Sequence, residues 1–181
     1  MKFCLDAGHG GRDHGAIGAV LFTLEEKSIN LSIANFLEEQ LEKSIHWVAM
    51  TRRRDVYVAL EDRAAIANQL GADYFISIHT NSFASQNVSG IEVFHYPEAK
   101  KGKALAEKIM ASLAANFSNH NIRGVKARNL KVLKETNMPA VLVEVEFLSN
   151  PEQLIFLAEE GNRESLAEAI AQGIENYITT I

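Results

Sequence analysis

Cysteine is nearly absent: Cys4 is the single thiol in 181 residues, so the chain can close no disulfide on itself and can build no thiolate metal cluster. Any metal it binds must rest on histidine and carboxylate. Basic charge is in deficit, with a formal net charge of −5 at pH 7. That balance argues against a nucleic-acid partner held by phosphate electrostatics, although it leaves room for a local basic patch. Every apolar run is broken within about ten residues, well short of a bilayer span. The opening Met1-Lys2-Phe3 leads directly into a strand-like run, without the charged, apolar and cleavage regions of an export signal. A soluble protein, acting as a monomer, is expected. No Gly-x-Ser-x-Gly elbow occurs, which removes the usual support for a serine nucleophile. The glycine-rich loop that does occur lacks the Gly-Lys-Ser/Thr ending of a phosphate loop.

What is present is ordinary for a globular protein: 47% hydrophobic and 23% charged residues. The length suits one domain over residues 1–181, able to bury a core without covalent staples. Apolar, β-branched runs alternate with segments of helical period, which predicts an α/β layered domain with a largely parallel or mixed sheet. Strands are expected at residues 2–6, 46–51, 74–79, 90–96 and 140–146, with a short one near 130–133. A first helix is expected to begin near Thr23, with its stripe at Ile29, Ile33, Phe36, Leu37 and Leu41. Others are expected around residues 60–70, over Leu105, Ile109, Leu113 and Phe117, after Ser149-Asn150-Pro151, and over Leu166, Ile170, Ile174 and Ile178.

Ligands of open α/β sheets gather at the carboxyl ends of strands, where His9, His79 and Glu144 fall. Glu26 joins them if the first helix starts at the same edge. Two imidazoles and a carboxylate are a recurrent catalytic zinc set that leaves a position for water. Each residue also has a plainer reading. His9 can be satisfied by loop backbone, and Thr23-Leu24-Glu25-Glu26 fits a capping box in which Glu26 bonds back to the cap. His79 can simply end its strand. Glu144 sits in a nearly continuous apolar run, where an ionised carboxylate needs compensation, either from a metal or from an arginine such as Arg63 or Arg128. By the period of two, Glu146 shares its face. His95 is a reserve ligand, His14 a candidate substrate contact, and His46 and His120 read as surface residues. Cys4 reads as core, and Arg52, Arg53 and Arg54 as a solvated turn.

At these residues the chain strongly resembles the zinc-dependent N-acetylmuramoyl-L-alanine amidases of the Amidase_3 family, over nearly its whole length. The matching stretches are Leu5-Asp6-Ala7-Gly8-His9-Gly10-Gly11, Glu26-Lys27-Ser28-Ile29-Asn30-Leu31, Thr51-Arg52 with Asp55, Leu60 with Arg63, Ala67 and Asn68, Ser77-Ile78-His79-Thr80-Asn81, Arg123-Gly124-Val125, and residues 139–150. The resemblance implies zinc ligands at His9, Glu26 and His79, a catalytic Glu144, and a mixed sheet of about six strands between layers of helices. It also sets the register on Glu26 rather than Glu25. His14 stands where the family usually has proline. Glu146 stands where a small residue is common; like-charge repulsion would raise the pKa of one of the pair if the two approach closely, and otherwise one of them is structural.

The activity implied is cleavage of the amide between N-acetylmuramic acid and L-alanine in peptidoglycan by a zinc-activated water, at the cell wall; Asn81, beside His79, is this reading's own candidate for orienting substrate. Two alternatives stay open: a zinc peptidase acting on the stem peptide, and a non-catalytic wall-binding or regulatory module.

Overall fold

The strands assemble in the order β4-β1-β5-β8-β6-β7, a six-stranded sheet in which only the β6–β8 pairing is antiparallel. They are β1 (Lys2–Ala7), β4 (Trp47–Met50), β5 (Tyr74–Asn81), β6 (Ile91–His95), β7 (Ile122–Ala127) and β8 (Ala140–Phe147). The computed structural model describes residues 1–19 and 22–180. Helices α1 (Glu26–Lys43), α3 (Lys100–Asn116) and α6 (Glu160–Ile178) cover one face, and α2 (Leu60–Leu70) with α4 (Lys131–Lys134) the other. The short α5 (Pro151–Ala158) starts on Asn150, whose side chain accepts hydrogen bonds from the Glu152 and Gln153 amides. The α/β architecture and mostly parallel sheet are as expected.

The central strands β1, β5 and β8 are buried on both faces, which is why their sequences run nearly unbroken in apolar residues. Val141, Val143 and Val145 face the larger core with Ile29, Ile33, Leu105 and Ile170. Cys4, Phe75, Phe94 and Leu142 face the smaller one. Cys4 is fully buried, and that burial pushes its thiol up to about 12, leaving it inert. No described helix is long and apolar enough to cross a membrane.

Four expectations are corrected. The first helix begins at Glu26, because Thr23–Glu25 forms β3, paired antiparallel with β2 (Ile17–Ala19) in a small hairpin. The expected strand near residues 130–133 is α4, and the strand of that region is β7. An apolar run as short as Leu130-Lys131-Val132-Leu133 does not distinguish the two periods. β7 hides because it is an edge strand carrying Arg123, Lys126 and Gly124, the last at φ 84. His46 and His120 are half-buried rather than surface residues: His46 packs against Phe3 and pairs with Glu175, and His120 packs on Phe156 and pairs with Glu146. Arg52 is only 3% exposed and buried under the glycine loop, whereas Arg53 and Arg54 are exposed.

Candidate metal centre

The glycine loop turns at the carboxyl end of β1 through residues of positive φ: His9 at 62, Gly10 at 130 and Gly11 at 58 degrees. For His9 this is an uncommon conformation, and neighbouring groups hold it there. Arg52 donates from Nε to the Ala7 carbonyl (2.8 Å) and from Nη2 to that of Gly8 (2.9 Å). Arg63 donates from Nη2 to the His9 carbonyl (2.8 Å), while its Nη1 meets the buried Asp6 carboxylate at 2.7 Å. Asp6 also accepts from Thr51 and Ser77. Burial alone would raise its pKa, but Arg63, aided by His79 and Ser77, holds it below the usual range. A satisfied ionic network thus fixes the backbone from which His9 projects.

The structure brings His9, Glu26 and His79 together. One ligand atom from each falls in a group whose members all lie within 4.8 Å of one another. Glu26 Oε1 is 3.2 Å from His9 Nε2 and 2.9 Å from His79 Nδ1. Glu26 is the first residue of α1, and no side-chain cap bond forms at its N-terminus. The capping box is therefore absent. Instead, Oε2 accepts from the Ala16 amide (2.8 Å), and Oε1 accepts from the Thr80 amide (3.1 Å) and Asn30 Nδ2 (3.3 Å). Burial opposes its ionisation, yet the two histidines outweigh that and hold Glu26 far below the carboxylate range. Conversely, burial works against positive imidazoles at His9 and His79, and Glu26 overrides it, so both rings attract protons more strongly than usual. The Glu26 carboxylate thus draws positive charge onto the trio.

Two glycines make the room. A Cβ on Gly8 would meet the His79 ring at 2.3 Å, and one on Gly15 would meet Glu26 Oε2 at 2.6 Å and His9 Cδ2 at 2.7 Å. His9 Nδ1 lies 2.9 Å from Asp13 Oδ2, an ionic approach that lacks aligned hydrogen-bond geometry. A carboxylate behind an imidazole is the usual way to fix the orientation of a ligand ring.

Glu144 is the Cα partner of His79 across the β5–β8 ladder. Neither arginine considered for it is engaged: Arg63 pairs with Asp6, and Arg128 lies over the Phe94 ring at 4.9 Å. Its Oε2 is shut from solvent and has no hydrogen-bond partner among the described residues. Burial, reinforced by the nearby Glu26 and Glu92 charges against the opposing His79 and His9, pushes its pKa up to about 7. Glu146 is not the perturbing neighbour. The β5–β8 register shifts between His79 and Asn81, with His79 opposite Glu144 but Asn81 opposite Phe147. This bulge breaks the period of two, and Glu146 accepts instead from His120 Nδ1 (3.0 Å) and the amides of Gly90 (2.7 Å) and Phe147 (3.1 Å).

Asn81 ends β5, two residues past His79, with its Oδ1 taken by the Ser82 amide at 2.8 Å. The structure does not bring it into the trio. His14 pairs with Glu25 at 2.7 Å, and the ring of His95 bonds to the Tyr96 carbonyl. Sequence reasoning missed Asp13, Asn30 and the bracing role of Arg52. Asp13 and Asn30 each lie four residues beyond a ligand candidate, and for Asn30 the helical period places it on the Glu26 face; that spacing was the available signal.

The donor set of two imidazole nitrogens and one carboxylate oxygen, backed by Glu144 with its buried Oε2 lacking a partner among the described residues, fits a zinc ion. The chain is 37% identical over 175 residues to the probable cell wall amidase LytH of Staphylococcus saprophyticus, covering 97% of this chain and 57% of that protein. It thus spans little more than half the length of this curated relative. Among solved structures, the N-acetylmuramoyl-L-alanine amidase AmiC2 of Nostoc punctiforme superposes with a TM-score of 0.93 at 35% identity, over 99% of this chain and 97% of that one. The CwlD amidase of Clostridioides difficile, solved in complex with the GerS lipoprotein, gives 0.95 at 33% identity, with 99% of both chains covered. The sequence model of the N-acetylmuramoyl-L-alanine amidases matches residues 3–176, nearly the full length, and the chain belongs to that family.

Proposed function

We propose that residues 1–181 form the catalytic domain of a zinc-dependent amidase that cleaves the bond between the lactyl group of N-acetylmuramic acid and L-alanine at the cell wall, acting as a monomer. The observation that carries this is the pairing of a three-donor cluster with a carboxylate on the adjacent strand whose Oε2 has no partner. His9, Glu26 and His79 hold the metal. Zinc bound there would supply a Lewis acid for the amide carbonyl and would lower the pKa of a nearby water.

Glu144 takes a proton from the attacking water and delivers it to the departing alanine nitrogen. Burial raises the Glu144 pKa above the ordinary carboxylate range in the metal-free protein, a direction that suits a group which must both take up and give back a proton. Asp13 keeps the His9 ring in place, and Asn30 with the Thr80 amide keeps Glu26 oriented. With Oε1 and Oε2 of Glu26 both engaged, the ligand carboxylate cannot swing to serve as the base. Asn81 orients substrate through Nδ2, since its Oδ1 is spent on Ser82.

The test is digestion of purified peptidoglycan by metal-loaded protein. Release of free N-terminal alanine is expected, and its loss with a chelator and return with added zinc. Cleavage within the stem peptide instead would place the enzyme among peptidases, and absence of both products and bound zinc would leave a wall-binding module.

A further inference from the structure

A cleft of about 220 Å3 runs from Glu144 and His79 along the face of the sheet covered by α2 and α4. This is below the roughly 300–1,000 Å3 of sites that enclose whole small molecules, so it suits a short portion of a longer substrate. Phe94, Leu142 and Val132 are among its apolar lining, and Arg128 and Lys131 are its cations. The chain is acidic overall, yet residues 123–131 carry Arg123, Lys126, Arg128 and Lys131. Three of these have carboxylate partners: Arg123 and Lys126 both pair with Glu92, and Lys131 pairs with Glu61. Arg128 does not. Its guanidinium forms no ion pair or side-chain hydrogen bond among the described residues and rests 4.9 Å over the ring of Phe94, itself only 2% exposed.

We propose that Arg128 is a specificity-determining residue that receives a carboxylate of the substrate's peptide arm in the cleft ending on Glu144 and His79. The inference rests on the amidase reading of that site. A guanidinium lying on an aromatic face loses little freedom on binding, and its planar fork matches a carboxylate in a way that a lysine does not. Arg128 lines the same cleft as Glu144, the group that would protonate the departing nitrogen, so a peptide running on from the alanine along this cleft would pass beside it. The ligand class is a peptide whose second residue bears an ionised carboxylate.

The probes are L-alanyl-D-glutamic acid γ-methylamide, with its α-carboxylate free, and the same compound with that carboxylate converted to a carboxamide. Binding of each to the zinc-loaded protein is followed by NMR titration, for wild type, R128A, R128Q and R128K. R128Q keeps a long side chain over Phe94 without the charge. We expect wild type to prefer the acidic probe, R128A and R128Q to bind it roughly tenfold or more weakly, R128K to recover part of the loss, and the carboxamide to be indifferent to all three. Absence of binding to wild type, equal binding by wild type and R128Q, or an equal loss on both probes, as for a merely structural cover of Phe94, overturns the proposal. Failure of the amidase reading shows differently: peptidoglycan is left intact while the probe preference persists. Failure of the subsite alone shows as turnover of peptidoglycan with no dependence of probe binding on Arg128.

Discussion

Glu144 and Glu146 lie two residues apart on one strand, and both are held within the protein, yet the chain treats them in opposite ways. Glu146 is completely buried and fully engaged, with one oxygen on His120 and the other on the amides of Gly90 and Phe147. Glu144 has an oxygen with no partner and a carboxyl pushed up to about 7. A buried carboxylate that is satisfied fastens structure, because each partner lost would leave another buried polar group unpaired. One that is left wanting is poised for chemistry, at the expense of stability. The pair therefore separates the two uses of one side chain within two positions.

The comparison breaks most readily on turnover. Glu144→Gln should lower kcat by about a thousandfold or more while leaving metal content and circular dichroism unchanged; a variant within tenfold of wild type would remove Glu144 from the base's role. Glu146→Ala should do the reverse, costing about 3 kcal/mol in denaturant unfolding with the activity of the folded protein changed little in the cold. Stability against pH sharpens the contrast. A carboxyl whose folded pKa is raised destabilises the fold progressively as pH climbs from its unfolded value of about 4.3 to about 7, and fully above that. Metal-free Glu144→Gln should therefore be more stable than metal-free wild type above pH 7, by on the order of 3–4 kcal/mol, with the gain vanishing below pH 4. Asp6 has the opposite sign and the smallest readout. Burial resists its ionisation but Arg63 prevails, so its stabilisation is present above its unfolded pKa and lost as pH falls through its lower folded one. Carboxyl 13C shifts should show Asp6 still ionised where exposed aspartates have protonated.

Much of this was legible in advance where one physical demand dominated. The apolar run around Glu144 announced both a central strand and an anomalous charge, and the helical stripe through Ile29 and Ile33 turned Glu26 inward. The parts that stayed hidden depend on pairing. The three-residue strands of the β2–β3 hairpin are too short to show alternation, and Thr23-Leu24-Glu25-Glu26 looks like a helix start until its partner strand is seen. The bulge that parts Glu146 from Glu144 exists only in the register between β5 and β8. Arg52, one of three consecutive arginines, is distinguished from its neighbours only by the carbonyls of Ala7 and Gly8 that lie within its reach. The candidate ligand trio was readable because its members lie near strand ends or open a helix, whereas the residues that steady them come from four-residue offsets and distant loops.

Gly8 gives the candidate metal centre an unusual intolerance. Alanine is ordinarily the mildest replacement a glycine can receive, but here its methyl would lie 2.3 Å from two atoms of the His79 ring. The ring cannot yield without leaving Glu26, and the backbone cannot yield because Arg52 holds the Gly8 carbonyl. One hydrogen atom is thus all that position 8 can carry, and a residue with no side chain is as restrictive to sequence drift as any of the candidate ligands it stands beside.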